Sequence, residues 1–303
     1  MVNIYRFNFF LQRVTAAPPK YLWIEPTNKC NFNCDICPVN SLMKRKKGFM
    51  EMGLFKRIVD NARKNGITGV TITNWGEPLL HPKIVDLVEY ATKSEIKARI
   101  VTNGSLLTDN KSKELIQSGL DSIVFSIYGN ENDYKKRTNI PFEDIKNKWS
   151  TFIDIKNKLN PNIKIIFRTV ETDDNHPRLN KLIKEWSHLC DEYEVQQQTI
   201  FKAELIDNRK LSCPSLWICP VVLWDGRVVP CCVDYDGELV VGDMNKDDLK
   251  NLWNDALIKN LRKLHIKNRF PNRCLKCVER VPSRFVGITL RSILKKAVKK
   301  IFS

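Results

Sequence analysis

From residue 21 to about residue 201, short apolar runs rich in β-branched and aromatic residues alternate with longer stretches in which apolar positions recur three and four apart. The first pattern is that of buried strands, the second that of amphipathic helices laid over them. Strands are expected at 21–27, 69–73, 98–102, 122–128, 163–170 and 193–201, and helices near 51–64, 83–93, 109–117, 142–158 and 178–187. Phe55, Ile58 and Val59 show the helical spacing in the first of these. Such alternation builds a parallel sheet with crossover helices. Six units fall short of a closed (β/α)8 barrel, so the expected fold class is α/β, a partial (β/α)6 TIM-like barrel.

After Phe201 the rhythm ends. Leu223-Trp-Asp-Gly-Arg-Val-Val229 reads as a hairpin with Asp225-Gly226 at its turn. A second turn at Asp236-Gly237, a helix over about 247–262 and Cys274-Leu-Lys-Cys277 follow, giving a small hairpin-and-helix domain. From 285 to 302, Val286, Leu290, Ile293, Leu294, Val298, Ile301 and Phe302 face one way and Arg291, Lys295, Lys296, Lys299 and Lys300 the other. That is a cationic amphipathic helix, suited to packing on the barrel or to peripheral contact with a membrane. The expected domains are a barrel over 1–201, the small domain over 202–280 and the basic helix over 281–303.

A chain of 303 residues with 43% hydrophobic content can bury a substantial core. The net charge of +16 suits nucleic acid, an anionic surface or acidic substrates, and does not choose among them. Arg6, Arg13 and Lys20 interrupt the first twenty residues, so neither a signal peptide nor a membrane span is expected, and the expected location is cytoplasmic. Ten cysteines at metal-ligand spacings in such a chain read as ligands in a reducing compartment.

Cys30, Cys34 and Cys37 follow directly on the first strand, where barrel active sites lie. Three thiolates leave one iron of a four-iron cluster open, whereas a tetrahedral zinc would want a fourth protein ligand. This CxxxCxxC after a strand resembles the signature of radical S-adenosylmethionine (radical SAM) enzymes. Four further segments resemble the family's cofactor-binding places in their order along the barrel: Gly76-Glu77-Pro78 (the GGEP motif), Thr102-Asn103-Gly104, Ser126 on the fourth strand, and Tyr134-Lys-Lys-Arg137. The chain departs from the pattern at Trp75, where the motif has its first Gly, and at Ile36, where many relatives carry an aromatic residue.

Cys213, Cys231, Cys274 and Cys277 form a second group that can enclose a metal centre, with tetrahedral zinc as the alternative to iron–sulfur. The group resembles the SPASM/twitch extension of radical SAM enzymes in its short form, with one auxiliary [4Fe–4S] cluster. The resemblance implies reductive cleavage of S-adenosylmethionine by the first cluster. The resulting 5′-deoxyadenosyl radical then takes a hydrogen from a small polar, carbohydrate-like or lipid-linked substrate, for oxidation. It further implies an external electron donor such as flavodoxin or ferredoxin. Asp234 and Arg168 are candidates for handling a substrate proton or charge, and Cys232 and Cys219 for donating a hydrogen atom. Epimerisation, peptide modification and tRNA modification are the rival outcomes. Against the last, residues 279–303 alone carry +6 of the net charge, and no recognised RNA-binding module appears.

Overall fold

The computed structural model describes residues 13–138, 140–172, 175–198, 212–218, 220–275 and 277. Six parallel strands come first: β1 (Tyr21–Ile24), β2 (Gly69–Ile72), β3 (Lys97–Thr102), β4 (Ser122–Ile127), β5 (Lys164–Glu171) and β6 (Glu192–Gln197). Each pairs in parallel with its successor, as in Leu22↔Val70, Val70↔Ala98, Ile100↔Ile123 and Phe125↔Phe167. Helices α1 (Met52–Lys64), α2 (Ile84–Lys93), α3 (Asp109–Gln117), α4 (Glu131–Arg137), α5 (Phe142–Leu159) and α6 (Leu179–Trp186) fill the crossovers. This is the expected partial barrel.

Local chemistry explains the helix starts. The Thr108 side chain accepts from the N–H of Lys111, and Asn130 and Asp133 form a reciprocal capping box that starts α4. Arg63 and Lys64 close α1 where cations complement the helix dipole.

The outer faces of the strands bury their apolar residues under the helices. Leu22, Ile24, Ile72, Ile100, Ile123 and Phe125 are fully buried against Phe55, Ile58, Leu87, Val88 and Leu115. Trp149 of α5 sits at the centre of an aromatic group, 5.7 Å from Phe125 and 5.5 Å from both Phe167 and Trp186.

The hairpin after residue 220 is present as expected, but it does not stand apart. Strand β7 (Val221–Val222) pairs in parallel with β1, and β8 (Arg227–Val229) and β9 (Gly242–Asp243) follow antiparallel, giving the order β6-β5-β4-β3-β2-β1-β7-β8-β9 in one sheet. Gly226, at φ +94, makes the turn, and Leu223 and Arg227 are bonded across it at 2.8 Å. Short helices α7 (Ser215–Ile218), α8 (Leu249–Leu252), α9 (Ala256–Ile266) and α10 (Asn272–Leu275) complete the described chain. The single helix expected at 247–262 is therefore two, separated at Trp253–Asp255.

That break is where the C-terminal part grips residues 13–17. The Trp217 indole donates to Arg13 O at 2.7 Å, that of Trp253 to Ala17 O at 2.6 Å, and Asn254 exchanges two hydrogen bonds with Ala16. Arg262, fully buried, donates to the carbonyls of Val14 and Leu216, and burial lowers its pKa to about 10. No helix among the described residues is long and apolar enough to cross a membrane. The expected basic helix at 281–303 lies outside the described residues.

Candidate functional site

The loop after β1 carries Cys30, Cys34 and Cys37, all half-buried and in no disulfide. It is built by short polar ties. Thr27 Oγ1 donates to Gly48 O at 2.6 Å, Asn28 spans from Lys46 O to Gly48 N, and Asn40 Nδ2 donates to Phe32 O at 2.7 Å. Within the loop, Cys37 N–H donates to Cys34 O at 3.1 Å and Phe32 N–H to Cys30 Sγ at 3.4 Å. Burial pushes the Cys30 thiol up to about 12 and the Cys37 thiol up to about 11, and each is raised further by neighbouring members of the group. Such thiols are not activated nucleophiles. They ionise when a metal centre supplies the positive charge, which is the donor set a thiolate-ligated cluster wants. Tyr128, just beyond β4, lies against Phe32, and burial beside all three cysteines drives its pKa well above the usual phenol value. Tyr128 closes the strand expected at 122–128 and is not among the site residues expected from the sequence.

The end of β2 is tied to the same loop. Glu77 N–H donates to Lys29 O at 2.8 Å, and Gly76, at φ +113, passes so close that a Cβ there would lie 2.5 Å from Thr27 O. The Glu77 carboxylate is buried and accepts from Thr102 Oγ1 at 2.6 Å, Asn103 N at 2.8 Å and Leu79 N at 3.0 Å. Burial outweighs these bonds and raises its pKa to about 7. Glu77 thus fastens the end of β2 to the end of β3. Asn103 completes the link, donating to Asn31 Oδ1 at 3.1 Å while Asn31 donates to Ser105 Oγ at 2.9 Å. Three expected binding segments, at Cys30–Cys37, Gly76–Pro78 and Asn103, therefore form one hydrogen-bonded rim.

The second cysteine group meets that rim through the loop after β8. Trp75, at the position that departs from GGEP, donates its indole N–H to Cys232 O at 2.6 Å and packs edge-on to Tyr235 at 6.2 Å. Arg45 forms a bidentate pair with the fully buried Glu25, at 2.7 and 2.5 Å, and also donates to the carbonyl of Tyr235. Asp236 accepts the backbone N–H groups of Lys44 and Arg45. The Glu25–Arg45 pair was not singled out in the sequence, because their spacing of twenty residues matches no periodic pattern.

Cys213, Cys231, Cys274 and Cys277 line a single cavity with Pro230, Asp234, His265 and Arg273. Among the described residues no three Cys, His, Asp or Glu side chains gather tightly enough to hold one metal ion. The four thiols stand around a space instead. Cys231 is raised well above the ordinary thiol value, by burial first and then by Cys213, Cys232, Cys277 and Asp234. His265 accepts the Cys213 N–H on Nδ1 at 3.2 Å, which leaves the proton of a neutral ring on Nε2. Four thiols on one cavity, with the half-buried guanidinium of Arg273 beside them, fit a thiolate-ligated cluster.

The other expected site residues are dispersed. Asp234 is fully buried and accepts from the N–H groups of Glu238 at 2.9 Å and Leu239 at 2.8 Å, so its carboxylate closes that turn beside the second cysteine group. Arg168 on β5 is engaged by Glu194 on β6 at 2.5 Å, and Glu194 is also 3.6 Å from Arg99. Ser126 lies in register with Arg168. Cys232 is half-buried at the seam. Cys219 and the Arg137 side chain lie outside the described residues.

Comparison with known proteins bears on both cysteine groups. The radical SAM superfamily model matches residues 24–166, and that of the iron–sulfur cluster-binding SPASM domain matches residues 213–278. The cofactor-modifying protein of tungsten-containing aldehyde ferredoxin oxidoreductase from Pyrococcus furiosus is 37% identical over 36% of this chain, a match that spans only 30% of that protein. The S-adenosyl-L-methionine-dependent 2-deoxy-scyllo-inosamine dehydrogenase of Niallia circulans is 22% identical over 80% of this chain and 84% of its own. In fold, Streptococcus suis SuiB bound to precursor peptide SuiA superposes with a TM-score of 0.67 at 17% identity, over 91% of this chain and 73% of that one. Residues 24–166 thus form a radical SAM domain, the kind of barrel that binds a [4Fe–4S] cluster together with S-adenosylmethionine, and residues 213–278 a C-terminal SPASM iron–sulfur domain.

Proposed function

We propose that this protein is an oxidoreductase that cleaves S-adenosylmethionine reductively and takes hydrogen from a small polar or carbohydrate-like substrate, oxidising it. In this reading Cys30, Cys34 and Cys37 hold the cluster that binds S-adenosylmethionine, and Cys213, Cys231, Cys274 and Cys277 hold one auxiliary cluster. The observation that carries it is the seam at the barrel mouth. Trp75, next to the Glu77 rim, is bonded at 2.6 Å to Cys232, the neighbour of Cys231, so both cysteine groups are anchored to one hydrogen-bonded frame. The lengthwise similarity to a dehydrogenase of an aminocyclitol supports the substrate class. The fold shared with a peptide-bound neighbour keeps peptide modification as the second reading.

When bound, the first cluster and S-adenosylmethionine supply a 5′-deoxyadenosyl radical able to abstract an unactivated hydrogen. The chain's own residues shape the place where this happens. Glu77, Thr102 and Asn103 lock the ends of β2 and β3 to the cysteine loop, and Trp75, Tyr235 and the Glu25–Arg45 pair close one side of the mouth. Tyr128 and Phe32 pack beside the half-buried thiols and shield them in part from water. Ser126, Arg137 and Arg168 are proposed for the cofactor and substrate, with Arg168 held by Glu194 until a ligand competes for it. A cytoplasmic location and an external one-electron donor complete the proposal.

The test is to incubate the anaerobically reconstituted chain with dithionite and S-adenosylmethionine, and to follow a substrate in deuterated water. The proposal expects 5′-deoxyadenosine from the wild type and none when Cys30, Cys34 and Cys37 are all replaced by Ala. It expects a carbonyl product. Deuterium at the substrate carbon, lost in Cys232→Ala while 5′-deoxyadenosine persists, would show an epimerase instead.

A further inference from the structure

The cavity of the second cysteine group holds four thiols and the buried carboxylate of Asp234, and among the described residues lining it Arg273 alone carries a fixed positive charge. Arg273 precedes Cys274 in α10, so its backbone is set by the same turn that presents Cys274 and Cys277. Its guanidinium is pinned from several sides. Nη2 donates to Val233 O at 2.8 Å, Nη1 lies 3.6 Å from Glu238, and the group sits over the Tyr235 ring at 4.2 Å. Its Nε is different. It is buried and makes no hydrogen bond, although Asp234 Oδ1 lies 4.0 Å away. Both Asp234 oxygens already accept backbone N–H groups. A buried, ionised donor left unpaired is costly and rare in folded proteins.

We propose that Arg273 is a redox-tuning residue, its charge and its unused Nε–H serving the auxiliary iron–sulfur cluster of this cavity and raising that cluster's reduction potential. The proposal rests on the reading that Cys213, Cys231, Cys274 and Cys277 hold such a cluster. A four-thiolate cluster is anionic and becomes more so on reduction, so a fixed cation and a charged donor at low dielectric stabilise the reduced form more than the oxidised one. A potential raised in this way suits a cluster that receives an electron during substrate oxidation. The same guanidinium rests on Tyr235, which packs on Trp75 at the barrel mouth, so the tuning group is held by the seam itself.

The test uses full-length chain with Cys30, Cys34 and Cys37 replaced by Ala, which leaves one cluster to observe. Arg273→Gln and Arg273→Lys are compared with that parent by iron analysis and by redox titration monitored by electron paramagnetic resonance. At the parent's midpoint, Arg273→Gln should lower the ratio of reduced to oxidised cluster about tenfold, equivalent to about 59 mV for one electron. Arg273→Lys, which keeps a charge but lacks Nε–H, should fall between the two. Either variant carrying full iron with an unchanged midpoint overturns the proposal. Failure of both to hold iron would mark Arg273 as a folding residue and overturn it as well. A parent without iron would instead sink the cluster reading on which it stands.

Discussion

Glu77 shows how a motif residue acts through its neighbours. Its carboxylate gathers Thr102, Asn103 and Leu79, which fixes the rim that faces the cysteine loop. In Glu77→Gln one carboxylate oxygen becomes a donor, so either Asn103 N–H or another buried donor faces an N–H in place of an acceptor. Unfolding in urea should show a loss of about 1–3 kcal/mol. The pH dependence has a definite sign. Burial lifts the folded pKa from 4.5 to about 7, so the protonated form favours the folded state. Glu77's contribution is complete below pH 4.5 and is lost as pH rises towards 7. The wild type's margin over Glu77→Gln should therefore shrink across that window. A margin that widens towards pH 7 would mean that Glu77 holds the rim as a carboxylate.

At the scale of elements, the close approach of β2's end to the cysteine loop depends on Gly76. A Cβ at φ +113, with Thr27 O at 2.5 Å and Lys29 O at 2.8 Å, meets backbone that cannot swing aside. Gly76→Ala should cost about 2 kcal/mol or more and should loosen the first cysteine loop. Denaturant unfolding together with iron retention in the first site would show it, and an unchanged midpoint with full iron would contradict the geometry. The first five barrel strands were legible because each is a largely buried apolar run of its own, whereas β6, Glu-Tyr-Glu-Val-Gln-Gln, is partly exposed at the edge of the sheet, and every observed strand begins or ends within a few residues of its expected position. Helix α4 was missed as an element, although the Asn130…Asp133 capping box is a local signal that could have found it. Two features had no local signal. The bond ladder between β1 and β7 joins segments almost two hundred residues apart, so the continuity of the hairpin with the barrel sheet left no mark in the sequence. The break between α8 and α9 follows from Asn254 reaching back to Ala16, again a contact between distant parts of the chain.

At the scale of the whole molecule, one sheet carries both cysteine groups. The first lies at the C-terminal end of β1, and β7, hydrogen-bonded to β1, leads through β8 to Cys231 and Cys232. The two cysteine groups and their spacing were readable in the sequence, but the frame between them was not, since Trp75–Cys232 and Arg45–Tyr235 are contacts between distant segments. The account therefore stands or falls on what the two groups hold. The decisive measurement is the metal content of anaerobically reconstituted protein, in the wild type and in two variants, one with Cys30, Cys34 and Cys37 replaced by Ala, the other with Cys274 and Cys277 replaced. The account predicts about eight irons per chain in the wild type and about four in each variant, with no zinc. Zinc in the wild type, or iron that disappears entirely when either group alone is removed, would contradict two independent iron–sulfur sites.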